Sequence, residues 1–295
     1  MCFPWWTFNP QNSASLAIRW STIAKYILNR DGFLRFEHRP LDGRFSFATI
    51  VRKEDLKMSG ISLKSCNKHG TTAPKLIVGC DDSVSVQTAS AFYRSWPGGV
   101  DAFAISDVAQ WHRHKGDEIM ARFCEAHVFG FKHCLCLMAL EMNRQPVLYS
   151  DSDVLWFRDP AQLVAKYCSQ SVFGSIDCGL SYNHSLLADF PEYKALLADG
   201  CGINAGFAIF NDCPKYGPQE VSFIQRVLEQ KPAHFFSEQT LLAILTKKQG
   251  GVIAEDDVVI SESRSLFPSW ISKKWYARHY VSSVREQIWS DAIFL

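Results

Sequence analysis

From Lys75 onward, short apolar segments alternate with segments of helical character, and this alternation constrains the fold more than any other feature of the chain. Residues 76–80 read Leu-Ile-Val-Gly-Cys, a short apolar strand, and a helical segment follows to about Trp96. A second strand is expected at residues 100–105, and residues 117–142 are expected to form one long helix or two shorter ones. Strands that alternate with helices favour a mostly parallel central sheet flanked by helices, an α/β fold.

The same pattern continues through the second half of the chain. A short helix is expected after Pro160, and the helices that follow it are predicted at residues 219–230 and 238–247. Strands are predicted at residues 171–176 and at residues 203–211, with loop-rich sequence between them. We therefore expect one folded unit over residues 74–295.

Residues 1–73 are predicted to be an N-terminal extension packed on that unit. A helix is expected at residues 13–30, where four apolar residues recur at helical spacing: Leu16, Trp20, Ile23 and Ile27. Basic residues in this helix leave a membrane-surface helix open as an alternative. The remainder is read as irregular sequence, and residues 64–73 as a linker because they combine Gly70 with two threonines.

Composition excludes several classes of protein. Thirty-one Lys and Arg residues against 30 Asp and Glu residues leave a formal net charge of +1, so no nucleic-acid-binding surface is predicted. The apolar run at residues 128–142 is interrupted by Lys132 and His133 and is shorter than the roughly 20 residues of a membrane span. The chain start lacks the pattern of a secretory signal, which favours the cytoplasm.

Ten cysteines occur without a Cys-x-x-Cys pair or a zinc-binding spacing. This usage is typical of reduced, mostly buried thiols in a cytoplasmic protein. Cys134 and Cys136 are close enough in sequence to suggest a metal clip, but in a helix this spacing places them on different faces. Burial is therefore the preferred interpretation for both.

Residues 146–160 say most about chemistry, since an apolar strand there ends in Asp151-Ser152-Asp153. Alternate side chains of a strand point the same way, so both carboxylates are expected to aim at one spot beyond the sheet edge. Such a pair suits Mg²⁺ or Mn²⁺, which keep coordination sites open for phosphate oxygens. The pair therefore predicts a site at which a bound cation holds a nucleotide diphosphate. The alternative is a polar turn with solvated Asp side chains. Asp81 and Asp82 follow an earlier strand and are expected at the same edge.

Four elements in order carry a family resemblance: Asp151-Ser152-Asp153, Asn204-Ala205-Gly206-Phe207, Ser237-Glu238-Gln239, and His279 in the C-terminal region. Together they resemble the GT-A type glycosyltransferases, and more narrowly the retaining nucleotide-diphospho-sugar transferases that include glycogenin-like and plant cell-wall enzymes. The similarity covers about residues 75–289. It implies a Rossmann-like GT-A fold, with residues 74–295 as the catalytic domain.

The resemblance implies metal and phosphate roles at matched positions. Asp153 would bind the metal directly, Asp151 would contact the metal or the donor ribose, and His279 would be the third protein ligand. An imidazole ligand favours Mn²⁺ over Mg²⁺. Arg285 lies where related enzymes often carry a lysine that contacts the diphosphate. For His279, an ordinary surface or core histidine remains the alternative.

It also implies contacts with the donor sugar. Asn204, Ala205 and Gly206 match the element that lines the sugar pocket, and Glu238-Gln239 match the acidic-Gln pair near the anomeric carbon. Turn chemistry and the first turn of a helix are the structural alternatives for these two elements.

Two further positions are matched less closely. Asp81 and Asp82 would contact the base or ribose. Ser282 and Ser283 stand where glycogenin-like enzymes carry a glycine, which is a departure from the family pattern.

The resulting expectation is a metal-dependent glycosyltransferase that moves a sugar from a nucleotide diphosphate sugar, with UDP-sugars favoured by resemblance only, to an unidentified acceptor with retention of configuration. Two alternatives remain. A haloacid-dehalogenase-like phosphatase also uses a strand-end Asp-x-Asp and a divalent ion. A non-catalytic nucleotide-sugar binding protein would keep the same residues.

Overall fold

The computed structural model describes residues 35–126, 128–232, 234–261 and 275–292. The strands in these ranges are β1 (Leu41–Val51), β2 (Ala73–Cys80), β3 (Val100–Ala104), β4 (Val147–Ser150), β5 (Val154–Trp156), β6 (Val172–Ile176), β7 (Ile203–Phe210), β8 (Gly250–Ile253), β9 (Val258–Ser261) and β10 (Ala277–Tyr280). The α-helices are α1 (Leu56–His69), α2 (Val86–Tyr93), α3 (Ile105–His114), α4 (Glu118–Ala126), α5 (Val128–Asn143), α6 (Pro160–Lys166), α7 (His184–Leu187), α8 (Pro191–Leu196), α9 (Pro218–Glu229), α10 (Ser237–Gln249) and α11 (Gln287–Ala292).

Seven strands form the central sheet in the order β3-β2-β1-β4-β7-β6-β8. Four neighbouring pairs are parallel, and β7 runs antiparallel to both of its neighbours. A second sheet of three strands has the order β5-β10-β9. The predicted α/β fold with a mostly parallel central sheet is confirmed.

The core lies on both faces of the central sheet because its strands are apolar on both sides. All four residues of β4 are buried. Leu148 packs in one apolar cluster with residues of α1, α2 and α6, whereas Tyr149 packs in the other with residues of α3, α4, α5, α9 and α10. Adjacent strand residues thus face opposite helical layers.

Residues 41–72 belong to the folded unit, which corrects the predicted extension and its boundary at residue 73. Strand β1 pairs with β2 on one side and β4 on the other, so it is central to the sheet. Residues 64–69 lie in α1, where a linker was predicted. The helix predicted at residues 13–30 lies outside the described residues.

The other segment predictions agree with the structure in kind, with ends that differ by a few residues. The segment at residues 117–142 forms two helices, α4 and α5. Helices α3 and α11 and strands β5, β8, β9 and β10 had no sequence-based prediction, and α7 and α8 lie where loop-rich sequence was predicted. Across the ranges that the structure describes, no helix combines the length and the apolar character of a membrane span.

Candidate functional site

Asp151 and Asp153 directly follow β4, and the structure brings His279 to them. Strand β10 pairs antiparallel with β5, and His279 is the partner of Val154 in this pairing. His279 Nε2 lies 3.1 Å from Asp153 Oδ1 and 3.9 Å from Asp151 Oδ2. One ligand atom from each of the three side chains fits within 4.8 Å, which makes this a candidate divalent-metal site.

The three side chains fit a divalent cation. Adjacent ligands of an octahedral ion at about 2.1 Å lie about 3 Å apart, which is comparable with the Asp153 to His279 distance. Apart from this contact with His279, the buried Asp153 Oδ1 has no hydrogen-bond partner among the described residues. A buried carboxylate oxygen in this state calls for a further group, and a cation meets that need.

The absence of a side chain at Gly206 leaves space for the side chains of Asp151 and His279 to approach each other. A Cβ atom at this position would lie 2.2 Å from His279 Cε1 and 2.6 Å from Asp151 Oδ2. The backbone of β7 also holds the loop, because Asp151 N–H donates to the Gly206 carbonyl at 2.8 Å. Any larger residue at position 206 would separate the two ligands.

Asp151 is the most accessible of the three side chains, with 34% of its side chain exposed. The Tyr149 hydroxyl donates to its Oδ1 at 2.6 Å. Its Oδ2 is the oxygen nearer to His279. One oxygen is thus fixed by the strand while the other faces the candidate metal site.

Two cationic side chains act on Asp153. Burial alone would raise the pKa of Asp153, but His279 and Arg285 hold it below its usual value. Arg285 Nε lies 2.7 Å from Asp153 Oδ2, and Arg285 Nη2 donates to Asp55 Oδ1 at 3.1 Å. Burial lowers the pKa of His279, yet Asp153 and Asp151 raise it above its usual value. Asp151 and Asp153 therefore favour positive charge on His279, and Asp153 also pairs with Arg285.

Lys132 is a site residue that sequence reasoning missed. It is buried in α5, donates to the Ala205 carbonyl at 3.0 Å, and lies 3.6 Å from Glu238 and 3.9 Å from Asp151. Burial, opposed by Lys132 and reinforced by Asp151, raises the pKa of Glu238 to about 7. A lysine that interrupts an apolar helix was the available signal.

The start of β7 joins the acidic cluster to α10. The Asn204 side-chain oxygen accepts from Gly206 N–H at 2.7 Å, and Ala205 N–H donates to Gln239 Oε1 at 3.4 Å. Gln239 Nε2 donates to Asp177 Oδ2 at 3.0 Å. The matched Asn-Ala-Gly and Glu-Gln elements thus lie next to each other in space.

Asp81 and Asp82 lie at the end of β2, two strands away from β4. Asp81 Oδ1 accepts from Ser83 N–H at 2.9 Å, so it forms a local turn. Ser282, one of the two serines at which the resemblance implies a glycine, has a φ of 52°. Glycine adopts this left-handed conformation without strain.

No model of a known protein family matches the chain, and no curated protein matches its sequence. Solved structures do match. The bifunctional glycosyltransferase WbbM aligns with a TM-score of 0.55 at 14% identity, covering 90% of this chain and 52% of WbbM. The galactosyltransferase LgtC, in complex with donor and acceptor sugar analogs, aligns with a TM-score of 0.52 at 16% identity, covering 85% and 96% of the two chains.

The chain has the GT-A fold. Mouse xyloside xylosyltransferase 1 matches as well, with a TM-score of 0.50 at 11% identity over 74% of this chain and 87% of its own. The chain spans about half the length of WbbM but most of the length of the other two. At these identities the likeness concerns the GT-A fold, and the resemblance read from the motifs is confirmed at that level.

Proposed function

We propose that this chain is a metal-dependent glycosyltransferase that moves a sugar from a nucleotide diphosphate sugar to an acceptor. The main evidence is the cluster of Asp151, Asp153 and His279 at the carboxyl end of β4 in a GT-A fold. Ligands of open α/β sheets bind at this edge. The matched LgtC structure holds donor and acceptor sugar analogs, which supports the same class of substrate for this chain.

Asp151, Asp153 and His279 would hold the divalent cation. Two carboxylates with one imidazole form a donor set that suits Mn²⁺ better than Mg²⁺. The bound cation would supply positive charge to the diphosphate that leaves with the nucleotide. Arg285 adds a fixed cation beside the same site, with 32% of its side chain exposed and able to reach a phosphate oxygen.

The donor sugar would lie against the start of β7 and the first turn of α10. Asn204 offers both a donor and an acceptor, and Gly206 allows backbone approach. Glu238 and Gln239 come from the first turn of α10. These groups would orient the sugar for approach of the acceptor hydroxyl, with Ala205 lining the pocket.

The remaining assignments follow the family resemblance. Asp81 and Asp82 would contact the base or ribose of the donor, and a UDP-sugar is the preferred donor. Retention of anomeric configuration is the proposed outcome. The GT-A fold favours this proposal over a haloacid-dehalogenase-like phosphatase, which is built on a different fold.

Thermal-shift screening of UDP, GDP and a panel of their sugars with and without Mn²⁺ tests the proposal. A ligand that binds only the folded state adds about 2.7 kcal/mol to the free energy of unfolding when its free concentration is 100 times its Kd. The melting temperature rises as a result. We expect one nucleotide family to raise the melting temperature only with metal present. Asp153→Asn should abolish this shift, whereas Asp189→Asn, a surface substitution, should leave it intact.

Nucleoside diphosphate release from the donor that binds then separates the alternatives. Slow, Mn²⁺-dependent release without an acceptor would support the glycosyltransferase. Binding without any release or transfer would identify a non-catalytic nucleotide-sugar binding protein. No shift with any nucleotide would contradict the proposal.

A further inference from the structure

Asp55 lies at the sheet edge that carries the candidate metal site. It ends the short 3₁₀ helix Lys53–Asp55 that follows strand β1, and β1 pairs in parallel with β4, which leads to Asp151. The chain runs from β1 to β2 and β3 on one side of the sheet and continues with β4 on the other, so the strand order reverses between β1 and β4. Open α/β sheets bind their ligands at such a reversal, beyond the carboxyl ends of the strands. Asp55 is therefore next to the expected ligand crevice.

The buried Asp55 carboxylate binds two arginines. Only 7% of Asp55 is exposed. Its Oδ1 accepts from Arg285 Nη2 at 3.1 Å, and its Oδ2 accepts from Arg52 Nε at 2.9 Å. Among the described residues, the group that could hold a cation does not include Asp55. A buried carboxylate needs cationic partners, and those of Asp55 are these two guanidinium groups.

Three side chains fix the position of the Arg285 guanidinium. Besides its bond to Asp55, Arg285 Nη2 donates to Ser152 Oγ at 3.2 Å, and Arg285 Nε lies 2.7 Å from Asp153 Oδ2. The guanidinium is planar and its donors have a fixed arrangement, so the positions of Nε and Nη2 determine the direction of Nη1. With 32% of the side chain exposed, part of Arg285 stays accessible to a ligand.

A bound cation would change how Arg285 is held. The positive charge of the proposed cation on Asp153 weakens the attraction between Asp153 and Arg285. Asp55 is outside the candidate metal site and keeps its ion pair with Arg285. Among the described residues, no other carboxylate forms an ion pair with Arg285. Asp55 is then the main ionic partner that holds the guanidinium in place.

We propose that Asp55 is a positioning residue for donor binding: it holds Arg285 so that the guanidinium contacts the diphosphate of the nucleotide sugar when the cation is bound. This inference rests on the proposed function and adds a residue from the region before residue 73, which was expected to be an extension. An effect of charge alone would have the opposite sign, since removal of a nearby negative charge favours binding of an anion. The direction of the change in affinity therefore separates the two effects.

Calorimetric titration of UDP and of GDP with saturating Mn²⁺ tests the role of Asp55. Asp55→Asn keeps the shape of the side chain and removes its charge. It should weaken binding of the nucleotide that the wild type binds by about tenfold, a loss in the usual range for coupled residues of one ionic network. In an Arg285→Gln background the same substitution should cause no further loss, because Asp55 acts through Arg285. Asp55→Glu keeps the charge but displaces the carboxylate; it should cause a smaller loss and provides a second double-mutant cycle.

Arg52→Gln is the control for disruption of the turn after β1. It removes the other partner of Asp55 without changing Arg285, and its nucleotide affinity should stay within about twofold of the wild type. Unchanged or tighter binding in both Asp55 variants, or the same loss with and without Arg285, would overturn the role of Asp55 and leave the proposed function intact. Failure of the wild type to bind either nucleotide with Mn²⁺ would contradict the proposed function and this inference with it.

Discussion

A basic side chain lies next to each oxygen of Asp153. His279 Nε2 lies 3.1 Å from one oxygen, and Arg285 Nε lies 2.7 Å from the other. Asp55 shares the Arg285 guanidinium and is itself bound by Arg52 Nε at 2.9 Å. Arg285 therefore neutralises the carboxylate that the proposed cation needs, and the two compete for it.

Arg285→Gln should have opposite effects on the two ligands of the site. Without nucleotide, Mn²⁺ should bind about fivefold more tightly, because an ion pair with a partly exposed partner contributes up to about 1 kcal/mol. With Mn²⁺ present, nucleoside diphosphate should bind more weakly, since a phosphate contact is lost. Mn²⁺ titration followed by electron paramagnetic resonance measures the first effect. Arg52→Gln is the control, and weaker Mn²⁺ binding in Arg285→Gln would contradict the competition.

Gly206→Ala should disrupt the metal site without unfolding the chain. The added Cβ would lie 2.2 Å from His279 Cε1, so the imidazole must move away from Asp151. We expect Mn²⁺ affinity to fall at least about tenfold, in line with the loss of geometry at a ligand. Gly43→Ala is the matched control because no atom lies within 4 Å of its added Cβ. Equal Mn²⁺ affinity in both variants would show that position 206 is not close to the ion.

His133 should make folding stability sensitive to acid. Burial, with His112 and Lys132 nearby, lowers the pKa of His133 to about 3. An unfolded histidine takes up a proton near pH 6.5, so the stability that His133 contributes is present above that pH and is lost as the pH falls towards 3. By pH 5 the loss is about 2 kcal/mol.

Urea unfolding at pH 7.5 and pH 5 measures this effect. His133→Gln should lose about 2 kcal/mol less than the wild type between the two pH values. His114→Gln, at an exposed position, should behave as the wild type does. An unchanged acid dependence in His133→Gln would contradict the assignment.

For individual residues, the local sequence pattern predicted Asp151 and Asp153 as metal ligands, because their spacing in a strand fixes the direction of both side chains. His279 lies more than a hundred residues later, so only the family resemblance could associate it with them. The sequence shows that Lys132 interrupts an apolar helix, but it does not show which carboxylates this lysine contacts. Both His279 and Lys132 reach the site through contacts between segments that are distant in the sequence.

Among the elements, β10 and α11 together determine where the imidazole lies. Arg278 and Tyr280 flank His279 on β10, and both contact Asp291 of α11. The Tyr280 hydroxyl donates to Asp291 Oδ2 at 2.5 Å, and Arg278 Nη1 lies 3.5 Å from the same oxygen. Alternation along the strand sends these two side chains away from the metal site, so the helix anchors the strand from behind.

Asp291→Ala should destabilise the protein by about 3 kcal/mol, because it removes one partner of a buried ion pair and leaves Arg278 with less compensation. The free energy of unfolding in urea measures this loss. Asp189→Ala removes an exposed ion pair with Arg226 and should cost under about 1 kcal/mol. Equal stability of the two variants would show that α11 does not anchor β10.

The elements that sequence analysis missed have weak local patterns. Three of the first four residues of strand β1 are exposed, and its mostly buried part begins only at Phe45. Helix α1 contains Ser, Gly and Asn, which have low helix propensity, and its conformation depends on packing against β5 and the core. Strand β4 was predictable because its apolar run is complete and ends sharply at Asp151.

For the whole molecule, the GT-A fold brings five distant segments to one sheet edge. Asp151 and Asp153 follow β4, Lys132 comes from α5, and the start of β7 and first turn of α10 add the proposed sugar contacts. Strand β10 completes the cluster from the second sheet. The alternation of strands and helices predicted this architecture, whereas the position of the second sheet depended on pairing between β5 and β10 that no local pattern encodes.

The most direct test of the account is calorimetric titration of the nucleoside diphosphate selected by the screen, with Mn²⁺ or with a chelator. We predict one binding site per chain with Mn²⁺, and loss of at least about 100-fold in affinity with the chelator, in Asp153→Asn and in His279→Gln. The same affinity with and without the metal, or in the His279 variant, would contradict the claim that these three side chains hold a cation for a nucleotide diphosphate.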